Sequence, residues 1–236
     1  MNRSLKPIAI PTLTDEVVYQ IESLILGGTV KPGQKLPPER EIAAQLGVSR
    51  PVVHAGILRL EQKGLVRIEP RHGCYVNDYR TSGSAELLTS LWRHKGEELE
   101  PAIVESMLEF RVAVEQEAAA RAAERVAAGD ASLHDKLGAL LDAAENADRL
   151  DPGRLAALDY QFHFSIALAS GNLVYPMLMN TFKSIYLTLL ERFFSSPEVV
   201  DRVNRFRRDL LEAISRGSAE DARRLMRTLS EVSSYE

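Results

Sequence analysis

Residues that begin and end helices punctuate the chain between positions 36 and 64. Pro38 suits the first turn of a helix, where its missing N–H costs no hydrogen bond, and Gly47 suits the left-handed position that ends one. Ser49 can cap the next helix, and Gly64 ends it. This spacing predicts two helices joined by a short glycine-containing turn, which is a helix-turn-helix.

A two-stranded hairpin is predicted directly after these helices. Residues 65–69 and 74–77 are rich in strand-forming side chains, and residues 70–73, PRHG, suit the turn between them. Upstream, Thr14 can cap a helix that begins near Asp15. Three helices followed by a two-stranded wing are typical of a winged helix.

After residue 84 the sequence predicts helices throughout. The predicted helices cover about 84–94, 101–128, 131–148, 152–170, 174–194, 197–216 and 218–232. The small polar stretch YRTSGS is typical of a linker. We therefore predict a mostly α-helical fold, with a winged helix-turn-helix at 1–78, a linker at 79–84 and a bundle of about six or seven helices at 85–236.

Composition limits the classes of function. A single cysteine, Cys74, excludes a disulfide framework and fits a reducing compartment, so we expect the protein in the cytoplasm. The N-terminal stretch lacks the apolar core of a signal peptide, and no run of about 18 apolar residues suits a membrane span. The net charge of −4 is unevenly divided. Residues 1–79 carry ten Lys/Arg and eight Asp/Glu, whereas the remainder carries 19 and 25, so the net negative charge does not argue against a local basic face on the first part.

The second helix of a helix-turn-helix lies in the major groove of DNA with its N-terminal residues on base edges. Arg50 suits guanine, because a guanidinium donates two hydrogen bonds to O6 and N7. Ser49 offers a phosphate its hydroxyl and helix N-terminal amides. The candidate DNA-contacting residues are Arg40, Ser49, Arg50, Pro51, Val52, His54, His72 and Gly73.

Two of these residues also have a plainer interpretation. Arg40 lies between Glu39 and Glu41, so it equally fits a solvated surface charge. His72 lies in the hairpin turn, where a histidine is usually only exposed. The order of cap, turn, arginine and wing along the chain favours DNA contact by the set as a whole.

The run LPPEREIAAQLGVSRPVVHAGILRLEQKGLVRIEPRHGCYV resembles the winged helix of the GntR family of regulators. Two residues depart from the family pattern. Pro38 replaces the usual serine, and His54 stands where the family usually carries an arginine that contacts DNA. A histidine can donate one hydrogen bond but not a bidentate pair, so the base preference at this position is expected to differ.

The stretches MLEFRVAVEQEAAARAA, LDYQFHFSIALASGN and DLLEAISRGSAEDARRLM resemble the FadR-type effector domain of that family. The resemblance implies an all-helical bundle around a pocket for an organic acid. In many members the pocket holds a divalent metal bound by an Asp and three His. Asp159 and His163 match two of these ligands, but Arg207 and Leu229 stand at the other two positions, so we predict no cofactor and only a weak metal site at Asp159 and His163.

The hypothesis for this pocket is that Arg111 and Arg207 bind an anionic ligand directly, in place of a metal. Two simpler arrangements compete with it. Asp159 and His163 can form a hydrogen-bonded buried pair, and Arg207 can pair with a surface acid such as Asp209 or Glu212. The candidate effector-binding residues are Arg111, Asp159, His163, Tyr186 and Arg207.

Two classes of effector fit this resemblance. The stretches YRTSGSAELLTSL and SIYLTLLERFFSSPE resemble the metal-free branch that senses fatty acyl-CoA, which is our first expectation. A short hydroxy, dicarboxylic or sugar acid, with or without a metal, is the alternative. The linker and the helix at 85–94, with Leu87, Leu91 and Trp92, are expected to couple the two domains.

The resemblance implies a DNA-binding transcription regulator. Regulators of this shape bind two half-sites of double-stranded operator DNA as a two-fold homodimer, and no membrane partner is expected. The chain has no P-loop, GxGxxG, GxSxG or HExxH motif, so we predict that it is not an enzyme. A metal hydrolase built on Asp159 and His163, and an architectural DNA-binding protein without a ligand, are the competing classes.

Overall fold

The structure is a computed structural model that describes residues 11–95, 101–130 and 132–232. Its contacts divide the chain into two units, Met1–Glu98 and Leu99–Glu236. Each unit has an apolar core of its own. The predicted fold class is confirmed, with a winged helix-turn-helix first and a helical domain second.

The first unit begins with three helices and a hairpin. These elements are α1 (Leu13–Leu26), α2 (Glu39–Leu46), α3 (Arg50–Gln62), β1 (Val66–Glu69) and β2 (Gly73–Val76). The strands pair antiparallel, with Val66 opposite Val76 and Ile68 opposite Cys74. Burial raises the pKa of the Cys74 thiol to about 11.

The cap of α1 is Thr12, and the predicted cap at Thr14 is wrong. The hydroxyl of Thr12 accepts a hydrogen bond from the backbone N–H of Asp15 at 3.1 Å, and the Asp15 carboxylate accepts one from the backbone N–H of Thr12 at 2.9 Å. This reciprocal capping box satisfies two N–H groups at once, whereas Thr14 is already inside the helix.

Helix α3 is held by its apolar face. Val53, Ile57 and Leu60 are buried against α1, as their spacing predicts. Gly47, between α2 and α3, has a φ of 66°, the left-handed conformation expected at a helix end. The helix-turn-helix geometry therefore follows from one glycine and one apolar face.

The segment predicted as a linker is folded onto the first unit. Residues Tyr79–Ser82 form a short helix, α4, and Ala85–Lys95 form α5. Leu87 and Leu91 of α5 are buried in the core of the first unit. The structure therefore divides the chain at 98/99 rather than at 79–84, because apolar side chains after the polar stretch pack back on α1.

Buried polar groups also join α5 to the winged helix. Lys63, which ends α3, donates hydrogen bonds to the carboxylate of Glu22 in α1 and to the hydroxyl of Ser90 in α5. Ser90 in turn donates to Glu22 at 3.2 Å. A buried carboxylate needs such partners, so this contact fixes three helices relative to one another.

Within residues 101–130 and 132–232 the second unit contains seven helices. They are α6 (Pro101–Ala127), α7 (Ser132–Glu145), α8 (Pro152–Ala169), α9 (Val174–Thr181), α10 (Lys183–Phe193), α11 (Glu198–Ser215) and α12 (Ala219–Val232). A row of buried alanines on α6, including Ala119 and Ala123, lets neighbouring helices pack closely. Helix α8 runs through the middle of this unit and contacts α6, α7, α9 and α10.

One predicted helix, 174–194, is two helices in the structure. Helix α9 ends at Thr181 and α10 begins at Lys183, with Phe182 between them at φ −99° and ψ 5°. The hydroxyl of Thr181 bonds back to the carbonyl of Met177, a contact that bends helices. The ring of Phe182 packs edge-on against Phe110 of α6 at 5.8 Å, which holds the bend.

None of the helices in the described ranges is both long enough and apolar enough to cross a membrane.

Substitution of Gly64 tests how closely the backbone of α4 approaches the residues that follow α3. It has a φ of +76°, and a Cβ there would lie 1.9 Å from the carbonyl oxygen of Ser82. We expect Gly64→Ala to lower the free energy of unfolding of the first unit by more than about 3 kcal/mol, since backbone must move. Gly47→Ala, at φ +66° with open space around it, should cost only about 1–2 kcal/mol.

Urea unfolding followed by the fluorescence of Trp92, the single tryptophan of the chain, measures both variants on the first unit. Equal losses of stability in Gly64→Ala and Gly47→Ala would contradict the close approach.

Candidate DNA-contacting surface and effector site

The predicted DNA-contacting side chains lie mainly on the exposed face of α2, α3 and the hairpin. The exposed residues are Arg40, Ser49, Arg50, Pro51, His54, His72 and Gly73. Val52 differs, because it is half-buried and packs against the core. Ser49 is the N-cap of α3 without a side-chain cap hydrogen bond, so its hydroxyl is not used within the helix.

Glu39, at the start of α2, contacts two of these side chains. One carboxylate oxygen lies 2.7 Å from Nδ1 of His54, and the other accepts a hydrogen bond from Nε of Arg50 at 3.3 Å. The hydrogen bond with His54 is the main reason that the pKa of Glu39 is lowered, so the carboxylate stays ionised. The sequence did not indicate this contact, because Glu39 and His54 are 15 positions apart.

The wing adds basic groups that sequence reasoning missed. Arg71, next to His72 at the tip, is exposed and has a φ of 67°. Arg67 stacks over the ring of Tyr75 at 5.1 Å, and the amine of Lys35 lies 5.9 Å from the same ring. The signal was present as Arg67 before the predicted turn and Arg71 within it, although Arg67 also pairs with Glu69 at 3.0 Å.

In the second unit, four helices bring ionisable and polar side chains into one largely buried cluster. It contains Arg111 and Glu115 from α6, Asp159 and His163 from α8, Tyr186 from α10, and Asn204 and Arg207 from α11. The structure thus brings together all five predicted effector-binding residues. We call these seven side chains the ion cluster.

Arg207 forms the tightest contact of the ion cluster. One terminal nitrogen donates to Asp159 Oδ1 at 2.8 Å, and the other donates to Asn204 Oδ1 at 2.7 Å. The side chain of Arg207 is 1% exposed, so it does not pair with a surface acid such as Asp209 or Glu212. Removing either partner of such a buried pair typically costs about 3–5 kcal/mol.

Glu115 is the second anion of the ion cluster and was not predicted. It accepts hydrogen bonds from Nε of Arg111 at 3.0 Å and from the hydroxyl of Tyr186 at 2.8 Å. The guanidinium of Arg111 also lies over the Tyr186 ring at 4.1 Å and 3.6 Å from Asp159. Glu115 lies four residues after Arg111 on the same face of α6, and this spacing is the signal that could have identified Glu115 from the sequence.

His163 lies between the two carboxylates. Its Nδ1 is 3.1 Å from Glu115 Oε2, and its Nε2 is 3.8 Å from Asp159 Oδ1, but neither contact has hydrogen-bond geometry. The predicted hydrogen-bonded pair of Asp159 and His163 is therefore not formed. Asp159 Oδ2 and Arg207 Nε also lack hydrogen-bond partners, so the site holds buried donors and acceptors that no hydrogen bond pairs.

The ion cluster keeps both carboxylates ionised. Burial by itself would raise the pKa of Glu115, but Arg111 and then His163 lower it to about 2. Burial likewise opposes ionisation of Asp159, and His163, Arg207 and Arg111 together hold its pKa below the ordinary value. Burial raises the pKa of Tyr186, which stays a neutral donor. Two arginines thus balance two buried carboxylates, Arg207 fully buried and Arg111 with 15% of its side chain exposed.

These residues do not fit the divalent metal that the resemblance implies for many relatives. A guanidinium nitrogen of Arg207 already lies 2.8 Å from Asp159 Oδ1, where the metal would bind. In the part of the chain that the structure describes, no three His, Cys, Asp or Glu residues are grouped as a metal site. The side chain of Leu229 lies outside the described residues.

Comparison with known protein families divides the chain into the same two kinds of domain. Residues 13–76 match the model of the gntR family of bacterial regulatory proteins. Residues 77–235, more than half of the chain, match the FadR C-terminal domain.

Several regulators are similar over most of the chain. The HTH-type transcriptional regulator Mce2R of Mycobacterium tuberculosis is 29% identical, covering 97% of this chain and 93% of its own. The fatty acid metabolism regulator protein of Klebsiella pneumoniae is 30% identical, covering 89% and 83%. A protein of Escherichia coli assigned to regulation of the L-lactate dehydrogenase operon is 28% identical, covering 91% and 82%.

Among solved structures, that of Lar, which controls the expression of the Listeria monocytogenes agr system, has the same fold. It superposes with a TM-score of 0.58 at 19% identity and covers 96% of both chains.

The lowered pKa of Glu115 predicts how acid affects the second unit. Because that pKa is about 2 when folded and near 4.5 otherwise, the ionised group adds roughly 3 kcal/mol at neutral pH. This stability is present above about pH 5 and is lost as the pH falls towards 2. We expect Glu115→Gln to be less stable at pH 7 and to lose less stability between pH 5 and pH 3.

Thermal unfolding followed by circular dichroism measures this difference. Glu145→Gln is the matched control, because Glu145 pairs with Arg208 on the surface and should keep the wild-type pH dependence. A Glu115→Gln variant with the full acid sensitivity of the wild type would show that Glu115 is not the titrating group.

Proposed function

Because this chain belongs to the gntR family of bacterial regulatory proteins and carries a FadR C-terminal domain, we propose that it is an acyl-CoA-responsive transcription regulator. The family consists of regulators and not of enzymes. In the proposal, two copies form a two-fold dimer in the cytoplasm, and each copy places one winged helix on a half-site of operator DNA.

The proposed DNA contacts follow the exposure of the first unit. Arg50, at the start of α3, is 72% exposed in its side chain and can reach a guanine in the major groove. Ser49 and Arg40 would bind phosphates, and His72 and Gly73 would enter the minor groove from the wing. The half-buried Val52 is the weakest of these candidates, since its packing limits its reach.

The match of residues 77–235 to the FadR C-terminal domain carries the proposal that the effector is a fatty acyl-CoA. A relative named as a fatty acid metabolism regulator supports it. The occupation of the metal position by Arg207 agrees with a site that binds its ligand without a metal.

A short carboxylate, such as a hydroxy acid, is the second candidate, and the ion cluster favours it. Asp159 Oδ2 can accept a hydrogen bond and Arg207 Nε can donate one, and neither has a hydrogen-bond partner, although Arg111 lies 3.6 Å from Asp159 Oδ2 as an ion pair. A hydroxyl next to a carboxylate would supply both. In either case Arg111 and Arg207 would bind the anionic group by exchanging contacts with Glu115 and Asp159.

We further propose that α5 transmits the effector signal to α3. It is the last helix of the first unit along the chain, and Ser90 of α5 bonds Lys63 at the end of α3. An effector changes operator affinity only if it favours one arrangement of these elements over another. A coupling of about 1–3 kcal/mol suffices for regulation.

Operator binding tests the DNA half of the proposal. We expect the protein to select a sequence from random duplexes, with an affinity that falls as salt rises. Arg50→Ala should lose roughly 10- to 100-fold in affinity for that operator, which corresponds to the loss of a bidentate guanine contact. Arg216→Ala, which removes an exposed arginine of the second unit, should bind as the wild type does. Equal affinities of all three proteins, measured by fluorescence anisotropy, would contradict the assignment.

A thermal-shift screen tests the effector. Acyl-CoA should raise the melting temperature, because a ligand that binds the native state stabilises it by about 2.7 kcal/mol at a hundred times its Kd. The rise should be larger for longer acyl chains. Arg207→Lys keeps a buried cation but loses the guanidinium fork, so the shift should shrink. Arg208→Lys, its exposed neighbour, should retain the shift.

Three other results separate the alternatives. A shift with short hydroxy acids alone would favour the second candidate. A shift that requires a divalent metal would contradict the interpretation of Arg207. No shift with any acid would contradict an effector of either class.

A further inference from the structure

The contact between Glu39 and His54 determines which ring nitrogen of His54 carries a proton. His54 is about half exposed, on the surface of α3 that presents Arg50, and its Nδ1 lies 2.7 Å from the Glu39 carboxylate. An ionised carboxylate has no hydrogen to donate and can only accept. Nδ1 must therefore carry the proton whenever this hydrogen bond is formed.

The proton on Nδ1 determines the chemistry of the other ring nitrogen. A neutral imidazole has one N–H, so Nε2 is then a bare acceptor. Nε2 lies across the ring from the nitrogen that contacts Glu39, and the described hydrogen bonds of His54 use Nδ1. An acceptor is thus offered where the family usually offers the donors of an arginine.

We propose that Glu39 is a specificity-determining residue, which makes His54 read an amino group in the major groove. The inference rests on the proposed operator binding and adds a base preference to it. Adenine presents N6 amino hydrogens in the major groove and cytosine presents N4, whereas guanine and thymine present acceptors. The base that faces His54 on the contacted strand is therefore adenine or cytosine.

Glu39 also orients Arg50 for a different base. It accepts from Nε of Arg50 at 3.3 Å, which leaves the two terminal nitrogens for O6 and N7 of guanine. One carboxylate therefore sets opposite hydrogen-bonding roles on two neighbouring side chains of α3. Arg50 donates to its base, and His54 accepts from its base.

Selection from random duplexes tests this inference at about pH 8.5, roughly two units above the ordinary pKa of an imidazole. The full-length wild type, Glu39→Gln, His54→Ala and the double variant are compared by sequencing the bound pool. The position at which His54→Ala loses preference is the base that His54 reads. We expect adenine or cytosine there for the wild type.

Glu39→Gln should weaken that preference. A glutamine amide can donate to Nδ1 as well as accept from it, so Nε2 can then carry the proton and bind guanine or thymine. The ratio of adenine plus cytosine to guanine plus thymine should fall roughly three- to tenfold, the value of one hydrogen bond. The double variant should match His54→Ala at this position.

Glu41→Gln is the matched control. It removes the same charge from the same helix, at an exposed residue, so it should alter affinity through electrostatics but leave the base preference unchanged. Melting temperatures close to that of the wild type will show that the variants are folded.

Each outcome has one meaning. Guanine or thymine at the His54 position of the wild type, an unchanged preference in Glu39→Gln, or no preference lost in His54→Ala overturns the inference while operator binding stands. A wild-type protein that selects no sequence overturns the proposed function, and the inference with it.

Discussion

Asp159 and Arg207 can be buried only as a pair, and the packing of the second unit depends on this constraint. A buried carboxylate without a cation would cost several kcal/mol, so α8 and α11 must pack with these groups in contact. Arg207 lies about equally far from the rings of Phe162 and Phe194, which belong to different apolar clusters. The pair therefore sits where the two clusters meet. Glu115 and Arg111 then repeat the same balance from α6.

The two units use burial in opposite ways. In the first, α3 buries Val53, Ile57 and Leu60, and this apolar face leaves the polar face to solvent. In the second, α6, α8 and α11 turn charged side chains inward. The first arrangement leaves donors and acceptors exposed on one face of α3. The second keeps most of them from water, where an unmatched polar group is costly to bury.

Patterns within one helix were readable from the sequence, and contacts between helices were not. The winged helix, the helix end at Gly47 and the apolar face of α3 follow from local spacing and chemistry. The resemblance to the FadR-type domain predicted that Arg111, Asp159 and Arg207 share one site, and the structure places them in contact. No local pattern specifies how α2 and α3 align, so the Glu39–His54 contact could not be predicted. The break at Phe182 and the docking of α5 escaped prediction because they depend on tertiary packing, which overrides local propensity.

The docking of α5 changes what counts as an exchangeable module in this chain. A cut in the polar stretch before α5 would remove Leu87 and Leu91 from the core and Ser90 from its contact with Lys63. Helix α3 would keep its sequence but lose the packing and hydrogen bonds that α5 supplies, and Glu22 would lose a hydrogen-bond donor. A hybrid protein that joins this winged helix to the effector domain of another regulator therefore has to include the residues of α5, through Lys95.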